Sequence, residues 1–296
     1  MTQWLWTAAN GAITDLSAWG AGYFVTADIG GHLAPEYGFV TQAFAGVDGE
    51  QLQAVTAAGR STTLGLDLVA ADGADLRVKV RALAHALRPR AGIGKLTAVG
   101  DDGSARTLPA FYRKGLEGGV YRAYRYRTVL EFWSPSPWWR GEPITEPWSL
   151  AASSSFFPIL PLVLSSTTIT GDRTIDLSDT DSPTYPVWTV TGPGSQLTLQ
   201  NTWAGVDEYG APQTMSADVV LNAAIGDGQT VTIDTRPGRQ SIVRVADGVS
   251  LFGSLASDPA LWPLVDGVNT VSALLTGAGP ASSIALTADR LYSGAL

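Results

Sequence analysis

Cysteine is absent from this 296-residue chain, which excludes a disulfide framework, a thiolate metal centre and a cysteine nucleophile. Folding in a reducing cytosol is the expectation that follows. Charge is sparse at 16% Asp, Glu, Lys and Arg, and histidine occurs twice, as His32 and His85. The first basic residue is Arg60, so Met1-Thr-Gln-Trp-Leu-Trp lacks the charged start of a secretory signal. Long hydrophobic runs are missing too. The most apolar one, Phe156 to Leu164, is nine residues interrupted by Pro158 and Pro161, well short of the roughly 20 that span a bilayer. No membrane anchor is expected from it.

Turn formers and aromatics are abundant instead. Thirty-three Gly, 17 Pro and 45% hydrophobic residues describe short strands separated by turns, a mostly β protein with material for one large or two ordinary cores. The net charge of -8 is uneven: residues 1–141 hold 14 Lys and Arg against 12 Asp and Glu, a net of +2, whereas residues 142–296 hold 5 against 15, a net of -10. An acidic second half repels nucleic acid and anionic membranes, and the near-neutral first half lacks a nucleic-acid footprint. No specific nucleic-acid or membrane partner is expected.

Periodicity divides the chain. Trp4, Trp6, Trp19, Tyr23 and Phe24, interleaved with glycines, read as hairpin or arm residues in loop and short strand. Ser61 to Val69 alternates and predicts a strand burying Leu64, Leu66 and Leu68. From Asp75 the period changes: Leu76, Val80, Leu83, Ala84 and Leu87 form one helical stripe, with Asp75 as N-cap, Arg88 in the last turn, and Pro89 and Gly92 as the stop. This predicts one main helix over about 75–88. Asp101-Asp102-Gly103 predicts a hairpin between Lys95–Val99 and Arg106–Tyr112.

The strand Tyr124 to Phe132 puts Tyr124, Tyr126, Thr128, Leu130 and Phe132 on one face and Arg125, Arg127, Val129 and Glu131 on the other. Pro135 and Pro137 then predict an extended linker, placing a domain boundary near residue 141 between domains 1–141 and 142–296. Trp133, Pro135, Pro137, Trp138 and Trp139 are candidates for packing at that junction. Beyond it, seven strands are predicted: Pro186–Thr191, Gln196–Asn201, Ser216–Asn222, Thr230–Asp234, Ser241–Val245, Asn269–Leu275 and Ser283–Ala288. Their close spacing predicts a β-sandwich.

Catalytic patterns are missing. The two histidines are not four apart as a zincin helix requires, and no serine has glycine two positions on either side. Gly94-Lys95 is no phosphate loop, because Pro89 and Leu96 occupy the positions of the first Gly and the Ser/Thr. The acid pairs Asp101/Asp102, Asp179/Asp181 and Glu142/Glu146 sit among turn residues, and Asp172 to Asp181 lacks the Gly and closing Glu of an EF-hand loop. No catalytic, cofactor-binding or metal-ligating residue is assigned. Arg122, Arg125 and Arg127, alternating with tyrosines, read as one face of an ordinary sheet whose arginines pair with acids of a neighbouring strand or subunit, which makes them candidate ring-interface residues. The stacking-platform reading of that pattern, and of Trp138, Trp139 and Trp148 as sugar platforms, is the weaker alternative.

In order along the chain, several segments resemble the distal tail protein (Dit) family of long, non-contractile-tailed bacteriophages. They are Ala-Phe-Ala-Gly-Val-Asp-Gly from Ala43, Thr62 to Val69, Leu83 to Pro89, Gly94-Lys95-Leu96, Phe111-Tyr112 with Gly115-Leu116-Glu117, and the corner Glu131 to Trp139. In that corner Ser136 stands where an Asp is common. In the second half, Tyr185-Pro186-Val187-Trp188, Thr230 to Thr235, Leu261 to Leu264 with Gly267-Val268-Asn269, and Leu286 to Ala295 are similar to the family's galectin-like domain. No long insertion interrupts this half, so inserted carbohydrate-binding modules are not expected.

The resemblance implies an N-terminal ring-forming β domain with one α-helix and a C-terminal galectin-like β-sandwich. It implies a non-enzymatic hub at the distal end of the virion tail, assembled in the host cytoplasm without cofactors. Six copies would form a ring that meets the tail-tube protein, tail-tip or receptor-binding proteins and the tape measure protein. The competing reading is a carbohydrate-binding β-sandwich in host-surface adsorption, for which Trp188 and Trp203 are the test residues. An enzyme of unrecognised type is a third.

Overall fold

The computed structural model describes residues 2–46, 48–118, 120–150, 167–207, 210–257 and 259–296. The apolar run Phe156 to Leu164 lies outside them. Among the described residues the chain is mostly β with one long helix, as the composition predicts, and it divides into two compact units: Met1–Glu142 with Tyr292–Leu296, and Pro143–Leu291. No helix among the described residues is long and apolar enough to cross a membrane.

The first unit contains β1 (Gln3–Thr7), β2 (Ile13–Asp15), β3 (Tyr23–Gly30), β4 (Tyr37–Ala43), β5 (Glu50–Ala57), β6 (Arg60–Val69), α1 (Gly73–Ala86), β7 (Gly94–Val99), β8 (Ala105–Lys114), β9 (Val120–Arg122), β10 (Arg125–Ser134) and the start of β11 (Trp139–Ser149). Antiparallel pairing joins β3 to β6 and β6 to β10, and β10 pairs in turn with β8 and β9; a second run joins β8 to β7, β7 to β1 and β1 to β2. Leu64, Leu66 and Leu68 are fully buried on β6, as their alternation predicts, and they share a core with Tyr126, Leu130, Phe132, the helix residues Leu76 and Leu83, and Leu87 at the helix C-cap.

Three readings of this unit need correction. Trp4 and Trp6 lie in the β1–β2 hairpin, so the hairpin alternative holds and the arm alternative does not, and both are core residues, 1% and 3% exposed; the Trp6 Nε1 indole donates to Ala86 O (2.9 Å), tying β1 to the end of the helix. The helix begins two residues early because Asp72, not Asp75, is its N-cap, accepting from the Ala74 and Asp75 amides at 2.8 Å; such a cap contributes about 1 kcal/mol. Asp75 instead reaches back to the Ala71 N–H (3.0 Å) and forward to Lys79, which together hold its carboxyl below the usual range. Ala84 is exposed, and the helix stops at Ala86, before Arg88.

Third, the proline corner is a turn rather than a linker. The Ser134 hydroxyl donates to Ser136 O (2.8 Å) and accepts the Ser136 N–H (3.1 Å), and the chain re-enters pairing at once, with Arg140 opposite Thr107 of β8. Pro135 and Pro137 remove backbone donors only in the short gap between strands. Gly141 lies flat against the Tyr292 ring, where a Cβ would come within 2.6 Å of Cε2.

The second unit contains the rest of β11, then β12 (Thr168–Asp176), β13 (Val187–Thr191), β14 (Gln196–Val206), β15 (Pro212–Leu221), β16 (Thr230–Asp234), β17 (Ser241–Arg244), β18 (Val268–Thr276) and β19 (Ser283–Tyr292). All seven predicted strands are present; β11 and β12 were not anticipated. One sheet runs β17–β16–β13–β19–β11 and the other β12–β18–β14–β15, with a single core of their inward residues between them, a β-sandwich. Trp188 lies at the centre of an aromatic cluster, 5.6 Å from Trp148 and edge-on to Trp262 at 5.7 Å.

Two polar groups specify this core. Asn269 is fully buried; its side chain accepts the Val265 N–H (2.9 Å) and donates to Val265 O (2.8 Å), so the Gly-Val-Asn turn is closed by its own asparagine. Asn201 Nδ2 donates to Asn269 Oδ1 at 3.0 Å and links β14 to that turn. At the end of β16 the Arg236 guanidinium grips Asp234 at 2.9 and 2.6 Å and holds its carboxyl below the usual range. A carboxyl depressed in the folded state stabilises above its unfolded pKa and loses that contribution as pH falls through the folded value. The melting-temperature gap between wild type and Asp234→Asn should therefore be widest above about pH 5, past the unfolded Asp value of about 3.9, and narrow as the pH falls through the lower folded value; a pH-independent gap would show that the ion pair is not its source.

Candidate functional site

The candidate functional site is an exposed arm. Among the described residues β4 and β5 pair only with each other, and the ribbon is closed at its base where the Ala58 N–H donates to Glu36 O (2.9 Å). Seven extended residues carry the arm roughly 23 Å outward. Tyr37 faces Ala57 and Phe39 faces Val55 across the ribbon, yet no core lies beneath them: Phe39 is 68% exposed, and Leu52 and Val55 are about half exposed. The described residues of the Ala-Phe-Ala-Gly-Val-Asp-Gly motif, 43–46, 48 and 49, lie at the tip, where Gly46 and Gly49 take positive φ values of 80° and 94°.

A lone two-stranded ribbon is marginal in water, and both of its edges offer unpaired backbone groups. Apolar side chains on both strands add an uncovered hydrophobic surface. The arrangement is suited to strand addition and apolar burial against another surface.

The predicted ring-interface arginines lie together on the outer face of the sheet. Arg125 makes a bidentate contact to Asp67 of β6, with Nε 2.8 and 2.9 Å from its two oxygens, and Asp67 is 3% exposed. Arg127 reaches Asp28 of β3 at 3.1 Å. Both therefore pair with a neighbouring strand of their own chain. Arg122 stands directly across β9–β10 from Arg125, exposed, without an ion-pair partner among the described residues. Glu131 further along the face holds Arg113 and Lys114 at 3.0 and 3.1 Å.

Of the predicted junction residues, Trp139 is fully buried in the first unit's own core, edge-on to Trp4 at 6.1 Å. Trp133 is 40% exposed and stacks on Phe111 at 6.4 Å on the outer face. Pro137 and Trp138 are half-buried in the turn, and Pro135 is exposed. Trp148 and Trp188 are core residues of the second unit and present no face for a sugar; Trp203 is half-buried.

The remaining chemical candidates are dispersed. Among the described residues no group of three His, Asp or Glu side chains is arranged to hold a metal ion. Burial, with a contribution from Arg60, pushes His32 below its usual value, and it packs against Trp4 at 6.3 Å. It lines an apolar concavity of about 280 Å³ with Trp19, Val25 and Ile29, and it is the single titratable side chain there. His85 is exposed in the last helical turn. The acid pairs are turn and edge residues: Asp102 accepts from Ser104, Asp176 from Ser178, Asp172 from Ser272, and Asp179 pairs with Arg290 at 2.7 Å.

Sequence reasoning missed the arm strands. Two β-prone runs flank a Gly-rich turn there, but neither run shows a clean alternation, because no core of this chain selects one face.

The fold is similar to the crystal structure of SPP1 Dit (gp 19.1), described as a paradigm of hub adsorption apparatus in phages infecting Gram-positive bacteria. The likeness spans 97% of this chain and 98% of that one, with a TM-score of 0.62 and 14% identity. This two-unit β protein therefore has the fold of a Dit protein. Two structures of the phage p2 baseplate in its activated conformation, with Sr and with Ca, align over 97% of this chain and 98% of theirs at TM-scores of 0.47 and 0.45, both with 8% identity, too distant to add to the argument. No family model and no curated protein matches the sequence.

Proposed function

We propose that this chain is a structural tail-tip hub of a bacteriophage, without catalytic activity, whose first unit closes into a six-membered ring between the tail-tube protein and the adsorption proteins of the tip. The uncovered arm carries this reading. A ribbon with apolar side chains on both strands gains its stability from a partner, and a heterologous contact repeated with rotation closes a ring. The fold shared with SPP1 Dit supports the setting. The acidic second unit, a galectin-like sandwich in this reading, keeps the outer domains soluble and apart, and offers docking points to tip or receptor-binding proteins. The tape measure protein is a further neighbour. Assembly takes place in the host cytoplasm, and the ring resides at the distal end of the virion tail.

The test is the solution mass of the purified full-length chain, followed by electron microscopy alone and with a tail-tube protein. Six-fold rings are the expected result. A monomer under every condition, with no binding to the tube protein, would overturn the proposal.

A further inference from the structure

The exposed face of α1 carries a basic stripe. Arg77, Arg81 and His85 recur every four residues, which on a 3.6-residue turn aligns the three on one face, and Arg88 follows just past the helix end. All are exposed, Val78 beside them is 65% exposed, and among the described residues none of the three arginines has an ion-pair partner. Most other basic side chains of this unit are engaged: Arg125 by Asp67, Arg127 by Asp28, Arg113 and Lys114 by Glu131, Arg60 by Ser293 O and Arg106 by Gly294 O.

The arm has the opposite character. No Lys or Arg precedes Arg60, and the arm's three carboxylates, Glu36, Asp48 and Glu50, are exposed and equally without ion-pair partners among the described residues. One chain thus presents an apolar, acidic ribbon that needs a cover and a basic helix face with an uncovered valine.

We propose that the arm of one copy lies across the exposed face of α1 of a second copy, its carboxylates meeting Arg77, Arg81 and Arg88 and its apolar side chains covering Val78. The contact is heterologous, since the two surfaces differ, and so it can repeat from subunit to subunit. Charge complementarity sets the register and the apolar residues supply the burial. Arg122 on β9 marks the competing landing place for the arm. The inference rests on the self-assembly proposed above and deepens it.

The absence of native cysteine makes a cross-linking test free of background. Gln51→Cys on the arm and Ala82→Cys on the helix are exposed positions that leave every charge in place. Mixing the two full-length variants with a short bismaleimide should yield a covalent dimer at least about tenfold above either variant alone. Separately, Arg77→Glu with Arg81→Glu should weaken self-association about tenfold or more, and adding Glu36→Lys and Glu50→Lys to the same chain should restore it. If rings form but neither effect appears, or if Gln51→Cys links instead to Val129→Cys, the arm docks elsewhere and this inference fails while the hub reading stands. If the wild-type chain never self-associates, both fail.

Discussion

Replacing Phe39 and Val55 together by serine should abolish self-association while leaving the folded chain intact. Both side chains project from a ribbon that shares no core with the rest of the molecule, and Phe39 is 68% exposed, so the isolated chain loses almost nothing when they go. In an assembly the same side chains leave water. Burial of one such side chain is worth about 1.5–3 kcal/mol, reduced here because each is already partly covered, so the pair contributes about 2–4 kcal/mol per contact. At about 1.4 kcal/mol per factor of ten, that is roughly 30-fold to several hundred-fold in affinity for each interface. Sedimentation velocity reads the effect, with near-ultraviolet circular dichroism as the check on folding. A double variant that sediments as the wild-type oligomer would show that the arm does not carry the assembly.

Trp188→Ala should act in the opposite way, damaging the fold rather than a surface. Its indole is 1% exposed between Trp148 and Trp262, and truncating a buried Trp to Ala typically costs about 3–5 kcal/mol. For a unit of this size that corresponds to a fall of roughly 6–20 °C in melting temperature. The consequence reaches the competing carbohydrate-binding reading. Lost glycan binding in this variant would report unfolding and not a vanished stacking platform, so Trp203→Ala, at a half-buried position, is the informative change for that reading. A Trp188→Ala protein that melts within a degree of wild type would overturn the assignment of this residue to the core.

Legibility followed burial. Leu64, Leu66 and Leu68 alternate because one side of β6 faces a core, and Val231 and Ile233 do so on β16 for the same reason. Strands of this kind were readable from the sequence. The strand Thr168–Asp176 was not: it is an edge strand paired only with β18, and only Ile169 and Ile175 along its nine residues are buried. Its polar residues and central Gly171 read as a loop. The arm strands escaped for a related reason, since nothing in their own chain covers either face.

The candidate site was legible only in part. The arginines of β10 were placed correctly on the outward face, yet an alternation cannot say which acid each one meets. Asp67 and Asp28 reach Arg125 and Arg127 through strand register across nearly 60 and 100 positions of sequence separation. The stripe Arg77, Arg81, Arg88, unpaired among the described residues, is in plain view in the sequence. Its lack of partners became visible only once every other basic side chain had been placed.

The sequence alone determined the mostly β character, the single main helix, the absence of thiol chemistry and the acidic second half, because composition and short-range periodicity act on neighbours along the chain. Tertiary structure decided that the proline corner turns back into the first unit, that Trp4, Trp6 and Trp139 belong to its core, and that the arm stands uncovered. Those outcomes depend on which distant surfaces meet, and contact between distant surfaces leaves no period in a linear sequence.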